Sequence, residues 1–393
     1  MENNEEQKIN ELLTRGIEES IVRESLEKKL KSGKKLRVKF GIDPTGPRIH
    51  IGRASTMRKL KKFQELGHQI VLIIGDFTGQ VGDASDKDSE RPMLSQDEVR
   101  ENMRDYFDQI STIFDVSKVE VHYNSEWLGK LDFNDICRLA DNFSVAEMLD
   151  RENFSKRFKE GKRISLREFM YPLMQGYDSV AIKSDIEIGG SDQLFNVLAG
   201  RTIQKAYGQE PQNIMTFKLL DGTDGRKMST SWGNVILIED EPTEMFGKIM
   251  SIKDELIEKY FEICTDVPMS EVEELLSDPR NAKVRLASEI VNIYHGAQEA
   301  QEAQEHFENV FSNKGTPENM DDIEMKEGEK LTDILDRSEL AKSRTEARQK
   351  IVQGGVKIDD KAVSNIDYKI TKEIDGAILK VGKREFRRIQ VVE

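Results

Sequence analysis

Apolar residues first recur at helical spacing: Ile9, Leu12, Leu13 and Ile17 predict one helix over residues 5–32. The period then shortens. LRVKFGID (36–43) has the pattern of a short strand ended by Asp-Pro, and STMRKLKKFQELG (55–67) that of an amphipathic helix with Ser55 as its cap and Gly67 at its end. QIVLIIGD (69–76), rich in β-branched residues, predicts a buried strand. Strand, helix and strand in so short a span make a parallel βαβ unit. A helix over 95–114, strands within 119–124, 181–193 and 212–220, and a helical pattern from 132 to 180 extend it. The result is a doubly wound α/β domain, whose ligands collect at the carboxyl ends of the strands. Four polar loops follow those strands, at residues 43–50, 76–83, 124 and 191–193, and are expected to converge on one crevice.

From about 240 to 312 the pattern is helical and acidic. Residues 313–329, rich in Gly, Pro, Asn and acids, have the composition of a linker. The remainder alternates two short helices with the short strands VKI, AILKVG and IQVV.

Composition sharpens this picture in three ways. The longest apolar run, IVLII at 70–74, is too short to span a bilayer, and the polar amino terminus has no signal-peptide pattern, so a cytoplasmic protein without a membrane partner is expected. Two cysteines far apart, Cys137 and Cys264, offer neither a disulfide framework nor metal-ligand spacing. The net charge of −14 is uneven: residues 329–393 carry 15 Lys and Arg against 12 Asp and Glu, a balance of +3 on an otherwise acidic chain. A basic tail on an acidic body suits a protein that holds RNA with one module and does chemistry in another.

The loop DPTGPRIHIG runs from a strand end to a helix start, where unpaired N–H groups and the helix dipole attract phosphate. Thr45 and His50 can donate hydrogen bonds there, and Gly52 leaves room for close approach. A second loop, GRKMSTSWGN (225–234), surrounds Lys227 with small residues, a setting for a mobile cation on a polyphosphate. In YPLMQGYD, the spacing of Tyr171, Gln175 and Asp178 places a phenol, an amide and a carboxylate on one helix face. Such a face makes a polar pocket wall.

HIGR at 50–53 followed by KMSTS at 227–231 resembles the paired HIGH and KMSKS signatures of class I aminoacyl-tRNA synthetases. KFGIDPTGPRIHIG, GDFTGQVGD, YPLMQGYDS and IGGSDQLFN narrow the resemblance to tyrosyl-tRNA synthetases, in the bacterial branch with a small RNA-binding module at the end. The resemblance implies a Rossmann-like catalytic domain over 1–238, with a helical insertion near 125–165 as a homodimer interface. It further implies a helical anticodon-side domain at 239–314, a linker at 315–329, and a small α+β RNA-binding domain at 330–393. The partners implied are L-tyrosine, tRNA(Tyr), and ATP as a substrate accompanied by Mg2+, with no metal held by the protein.

By the same resemblance Asp178 accepts the tyrosine hydroxyl, Tyr171, Gln175 and Asp83 hold its ammonium, and Gln193 reaches its carboxylate. Asp43 belongs to the tyrosine and adenylate site. Gly41, His50, Gly52, Arg53, Gly190, Asp192, Lys227, Met228 and Ser229 face ATP. Thr45, His50, Lys87, Arg91 and Lys227 act on the phosphates. Independently of the resemblance, the clustered cations Lys342, Arg344, Arg348 and Lys350 suit phosphate contacts with RNA. Three positions depart from the family: Arg53 replaces the second histidine of HIGH, Thr230 the second lysine of KMSKS, and Lys39 a tyrosine that helps hold the substrate hydroxyl. A tryptophanyl-tRNA synthetase, which shares the signatures, and a non-catalytic RNA-binding paralogue stay open as alternatives at this point.

Overall fold

The computed structural model describes residues 2–44, 46–83, 93–309, 320–338, 340–359, 361–382 and 385–392. They fall into two compact units, residues 1–304 and 305–393.

The first unit is built on six strands: β1 (Ile17–Ile21), β2 (Arg37–Ile42), β3 (Gln69–Ile74), β4 (Glu120–Tyr123), β5 (Ile186–Gly190) and β6 (Asn213–Phe217). Their order is β1-β6-β5-β2-β3-β4, parallel except for β1, which runs antiparallel to β6. Strand β3 is apolar along its length because helices cover both faces of a parallel sheet, so Ile70 to Ile74 are all at most 1% exposed. Sequence order reverses at the β2–β5 junction, where connections leave in opposite directions and open a crevice.

Three expectations for this unit need correction. The single helix over 5–32 is two helices, Glu2–Thr14 and Arg23–Lys31, separated by β1. Gly16, at φ +66°, turns the chain where other residues are strained, and the β-branched Ile17 and Ile21 then pair with β6. The helix expected over 55–67 begins at Ile51, with His50 rather than Ser55 as its cap. Ser55 is buried inside the helix and donates back to the Gly52 carbonyl at 2.9 Å. The helix expected over 95–114 is broken at residues 104–105, leaving Gln96–Met103 and Tyr106–Ser111.

Beyond β6 the unit is helical, as the acidic periodic pattern implies, with helices at Pro242–Met250, Ile257–Cys264, Met269–Leu275 and Pro279–His295. This region is packed into the first unit. Arg15 donates to the carbonyls of Phe261 and Glu262, and Arg58 and Lys62 pair with Asp266.

In the second unit, β7 (Asp322–Lys326), β8 (Val356–Ile358), β9 (Lys361–Ala362), β10 (Ile378–Val381) and β11 (Glu385–Val392) form a sheet ordered β7-β11-β10-β8-β9. Helices Leu331–Arg337 and Arg344–Val352 pack on it through Leu331, Leu335, Ala347 and Ile351. The linker expected at 315–329 is therefore corrected over its second half, since β7 runs parallel to β11. Its charged residues disguised a half-buried strand: Ile323 and Met325 point inward, while Asp322, Glu324 and Lys326 alternate outward. Residues 315–319 lie outside the described residues.

Candidate active site

The carboxyl ends of β2, β3 and β5 open into a cavity of about 300 Å³. Its wall includes Gly41 and Asp43 from β2 and its exit, His50, Gly52 and Arg53 from the next helix start, and Asp83 beyond β3. Tyr171, Gln175 and Asp178 come from the helix Leu166–Ile182, Gly190, Asp192 and Gln193 from the end of β5, and Lys227 to Thr230 from the later loop. The four loops expected to converge do so.

The inner end is a hydrogen-bonded acidic cluster. Tyr171 donates its hydroxyl to Asp43 at 2.7 Å, and Thr78 donates to the other oxygen of that carboxylate at 2.7 Å. Burial, then Asp43 and Asp83, push the Tyr171 phenol well above its usual range, so it stays a neutral donor. Asp178 accepts from the Trp127 indole at 2.7 Å and from the Asn124 amide at 3.4 Å. Burial raises the Asp178 carboxyl to about 7 against the opposing pull of Lys39 and of those two donors. Asp83 accepts from Gln193 at 2.7 Å and from Asn196 at 3.4 Å.

The outer end is basic. His50 accepts at Nδ1 from the Arg53 backbone N–H at 3.3 Å, which leaves Nε2 as the protonated, donating nitrogen of a neutral ring. Burial first, then the charges of Arg53 and Lys227, hold the His50 ring down to about 3. Arg53 is steadied by donating to the hydroxyl of the buried Tyr106 at 2.7 Å, and Lys227 pairs with Asp192 at 3.0 Å. Ser229 donates its backbone N–H to Asn234 at 2.9 Å, while Met228 is buried along the wall. A Cβ on Gly190 would lie 2.6 Å from Asp192 Oδ1, and one on Gly75 only 1.9 Å from Asp43 Oδ1, so both glycines keep the acid groups in place.

Thr45, Lys87 and Arg91 lie outside the described residues. Lys39 is not part of the wall: it is fully buried behind it, paired with Glu187 at 2.8 Å. Sequence reasoning missed Glu187, Trp127, Thr78, Gly75 and Tyr106. Glu187 alone carried a legible signal, as an isolated acid between two isoleucines.

In the second unit, Lys342, Arg344 and Arg348 are exposed at the start of and along one helix, and Arg344 pairs with Asp333 at 3.1 Å. Lys350 is turned toward its own chain, donating to the Leu340 carbonyl at 2.8 Å and pairing with Glu346 at 3.2 Å.

An open, mostly parallel sheet with a histidine-capped helix and a lysine loop lining its crevice is the arrangement of a nucleotide-binding enzyme. The family model described as tRNA synthetases class I (W and Y) matches residues 31–312, and that of the tyrosine–tRNA ligase SYY-like C-terminal domain matches residues 312–389. The tyrosine–tRNA ligase of Thermotoga maritima is 48% identical over 387 residues, 96% of each chain. That of Carboxydothermus hydrogenoformans is 47% identical over 398 residues, 96% of this chain and 97% of that one. The solved tyrosyl-tRNA synthetase of Archaeoglobus fulgidus, complexed with L-tyrosine, has a TM-score of 0.60 at 23% identity over 76% of this chain and 99% of its own. A truncated mitochondrial tyrosyl-tRNA synthetase from Aspergillus nidulans reaches 0.63 at 22% identity over 79% and 100%. These two bear on the fold alone. The chain belongs to the class I aminoacyl-tRNA synthetases, in the tyrosine–tRNA ligase branch.

Proposed function

We propose that this cavity activates L-tyrosine with ATP and passes the tyrosyl group to the terminal adenosine of tRNA(Tyr). The observation that carries the reading is that one cavity is lined both by a buried acceptor, Asp178, with Tyr171, Gln175 and Asp83, and by a neutral histidine with two cations, Arg53 and Lys227. A phenol donates to Asp178, and the ammonium is met by Tyr171, Gln175 and Asp83. The carboxylate, near Gln193, is aimed at the α-phosphorus of ATP, whose ribose lies against Gly190 and Asp192.

In the first step a tyrosine carboxylate oxygen attacks the α-phosphorus and the bond to the β-phosphate breaks, releasing pyrophosphate. No covalent bond to the enzyme is needed, so catalysis is orientation together with stabilisation of developing phosphate charge. His50 through Nε2–H, Arg53 and Lys227 supply that stabilisation, joined by Thr45, Lys87 and Arg91. Mg2+ enters with ATP as part of the substrate. In the second step the terminal adenosine hydroxyl attacks the tyrosyl carbonyl and AMP leaves.

Three further readings accompany it. The segment 125–165 exposes Phe133 (80%), Val145 (66%) and Phe158 (63%), an apolar concentration that supports a homodimer interface there. In the second unit Lys342, Arg344 and Arg348 meet RNA phosphates, whereas Lys350 serves its own fold. The cytoplasm is the compartment that fits this activity; among the described residues no helix is long and apolar enough to cross a membrane. The deciding experiment is ATP–pyrophosphate exchange by the purified chain with each amino acid in turn. Exchange dependent on tyrosine is expected; exchange with tryptophan instead, or with no amino acid, would overturn the assignment.

A further inference from the structure

We propose that Lys39 and Glu187 are positioning residues for recognition of the substrate ammonium: together they fix which atom of the Gln175 amide is turned to the cavity. The two are direct partners across β2 and β5, 0% and 1% exposed, with nitrogen and oxygen 2.8 Å apart. Neither touches the cavity, but both hold Gln175, which does. Lys39 Nζ donates to the Gln175 backbone carbonyl at 2.7 Å and to Ser179 Oγ at 2.8 Å. Glu187 Oε1 accepts from the Gln175 side-chain nitrogen at 3.1 Å. Its Oε2 accepts from Ser179 at 3.1 Å and from the Gln212 amide.

A planar amide has one donating and one accepting end, and an ionised carboxylate only accepts. Glu187 therefore takes the nitrogen of Gln175 and leaves the oxygen turned away from it. An ammonium only donates, so an oxygen is the end it requires. Lys39 keeps Glu187 compensated at a depth where a lone charge is very costly, and it ties down the backbone from which Gln175 springs. The packing leaves no slack: a Cβ on Gly200 would stand 2.4 Å from the Gln212 amide nitrogen and 3.1 Å from Glu187 Oε2. Stability alone gives little reason for such a pair, since an apolar pair of equal volume is often as stable or more so. Orientation of the amide is a reason an apolar pair cannot supply.

The inference rests on the reading of this cavity as the tyrosine site. In the double variant Lys39→Met/Glu187→Gln no lone charge remains, the Gln212 donor keeps the new oxygen at the Oε2 position, and the new nitrogen donates to the Gln175 oxygen and turns the amide over. ATP–pyrophosphate exchange should then show the KM for tyrosine raised about 10- to 100-fold, with the KM for ATP unchanged. Inhibition by 3-(4-hydroxyphenyl)propionate, which keeps the phenol and carboxylate but has no ammonium, should be unaltered. A merely structural defect would weaken all three. The apolar pair Lys39→Met/Glu187→Leu, which leaves the Gln175 amide unheld, should shift the same KM in the same direction by less. An unshifted tyrosine KM in a folded variant, or a parallel loss for the analogue, overturns the proposal. So does failure of both variants to fold by circular dichroism, which would assign the pair to the fold itself. Absence of tyrosine-dependent exchange in the unmodified chain would instead strike the functional reading.

Discussion

Replacing Asp178 by Asn should make the protein more stable while impairing it, and the gain should depend on pH. The buried Asp178 carboxyl has its pKa raised from 3.8 to about 7, mainly by burial, which penalises the charged form. A raised carboxyl pKa means the folded state binds the proton more tightly than the unfolded one. The contribution to stability is then greatest below pH 4 and is lost progressively as pH rises to about 7. At roughly 1.4 kcal/mol per pKa unit, the ionised group costs about 4 kcal/mol at pH 8 but only about 1.5 kcal/mol at pH 5. Asparagine carries no such cost and can still accept the Trp127 indole through its amide oxygen. Urea unfolding of the two proteins, followed by circular dichroism, should therefore show an advantage of Asp178→Asn larger by about 2.5 kcal/mol at pH 8 than at pH 5. Other titrating groups cancel in that difference. At pH 8 the variant should also lose about 10- to 100-fold in kcat/KM for tyrosine, the value of a charged acceptor over a neutral one. A stability difference equal at both pH values, or larger at pH 5, would refute the placement of a destabilised carboxylate at the inner end of the cavity.

His50→Ala should slow ATP–pyrophosphate exchange by about 100-fold or more with the tyrosine KM little changed. Because the ring is held near pKa 3, chiefly by burial, the unmodified rate should show no inflection near pH 6.5 that disappears in this variant. Arg53→Ala should raise the KM for ATP by about 10-fold, and Tyr106→Phe, which only releases the guanidinium, by less; steady-state exchange at varied ATP separates the two. Phe133→Glu combined with Phe158→Glu should convert a dimer to monomers in sedimentation analysis. In the second unit, Arg348→Ala should lower tRNA affinity and reduce the salt slope of binding by about one, whereas Lys350→Ala should leave the slope alone and lower stability by about 1 kcal/mol.

Much of the parallel sheet was legible because burial on both faces writes uninterrupted β-branched runs such as IVLII, and the loops that end those strands carried the chemistry. Helix starts were less legible. A capping histidine does not look like a cap, so the sequence pattern places the start of the helix one turn later than Ile51. Strand β1 was hidden because Ile17 and Ile21 fit a helical period as well as a strand, and only Gly16 at positive φ separates the two. Strand β7 was hidden by its charges. The contacts of Asp178 with Trp127 and of Arg53 with Tyr106 join residues more than 50 positions apart, and no local pattern announces them. Lys39 and Glu187 were the exception, opposite charges each flanked on both sides by apolar residues in a buried strand, and their pairing could have been read from that coincidence.

That pair also limits how the chain can change over generations. Replacing either member alone strands a charge in the interior at a cost of about 3–5 kcal/mol, a large part of a typical protein's margin. Replacing both at once can be nearly neutral for folding. The two positions are thus separated from their alternatives by a valley that single substitutions do not cross easily. Descendants of this sequence should keep both residues or exchange both, so that positions 39 and 187 drift as one character rather than two.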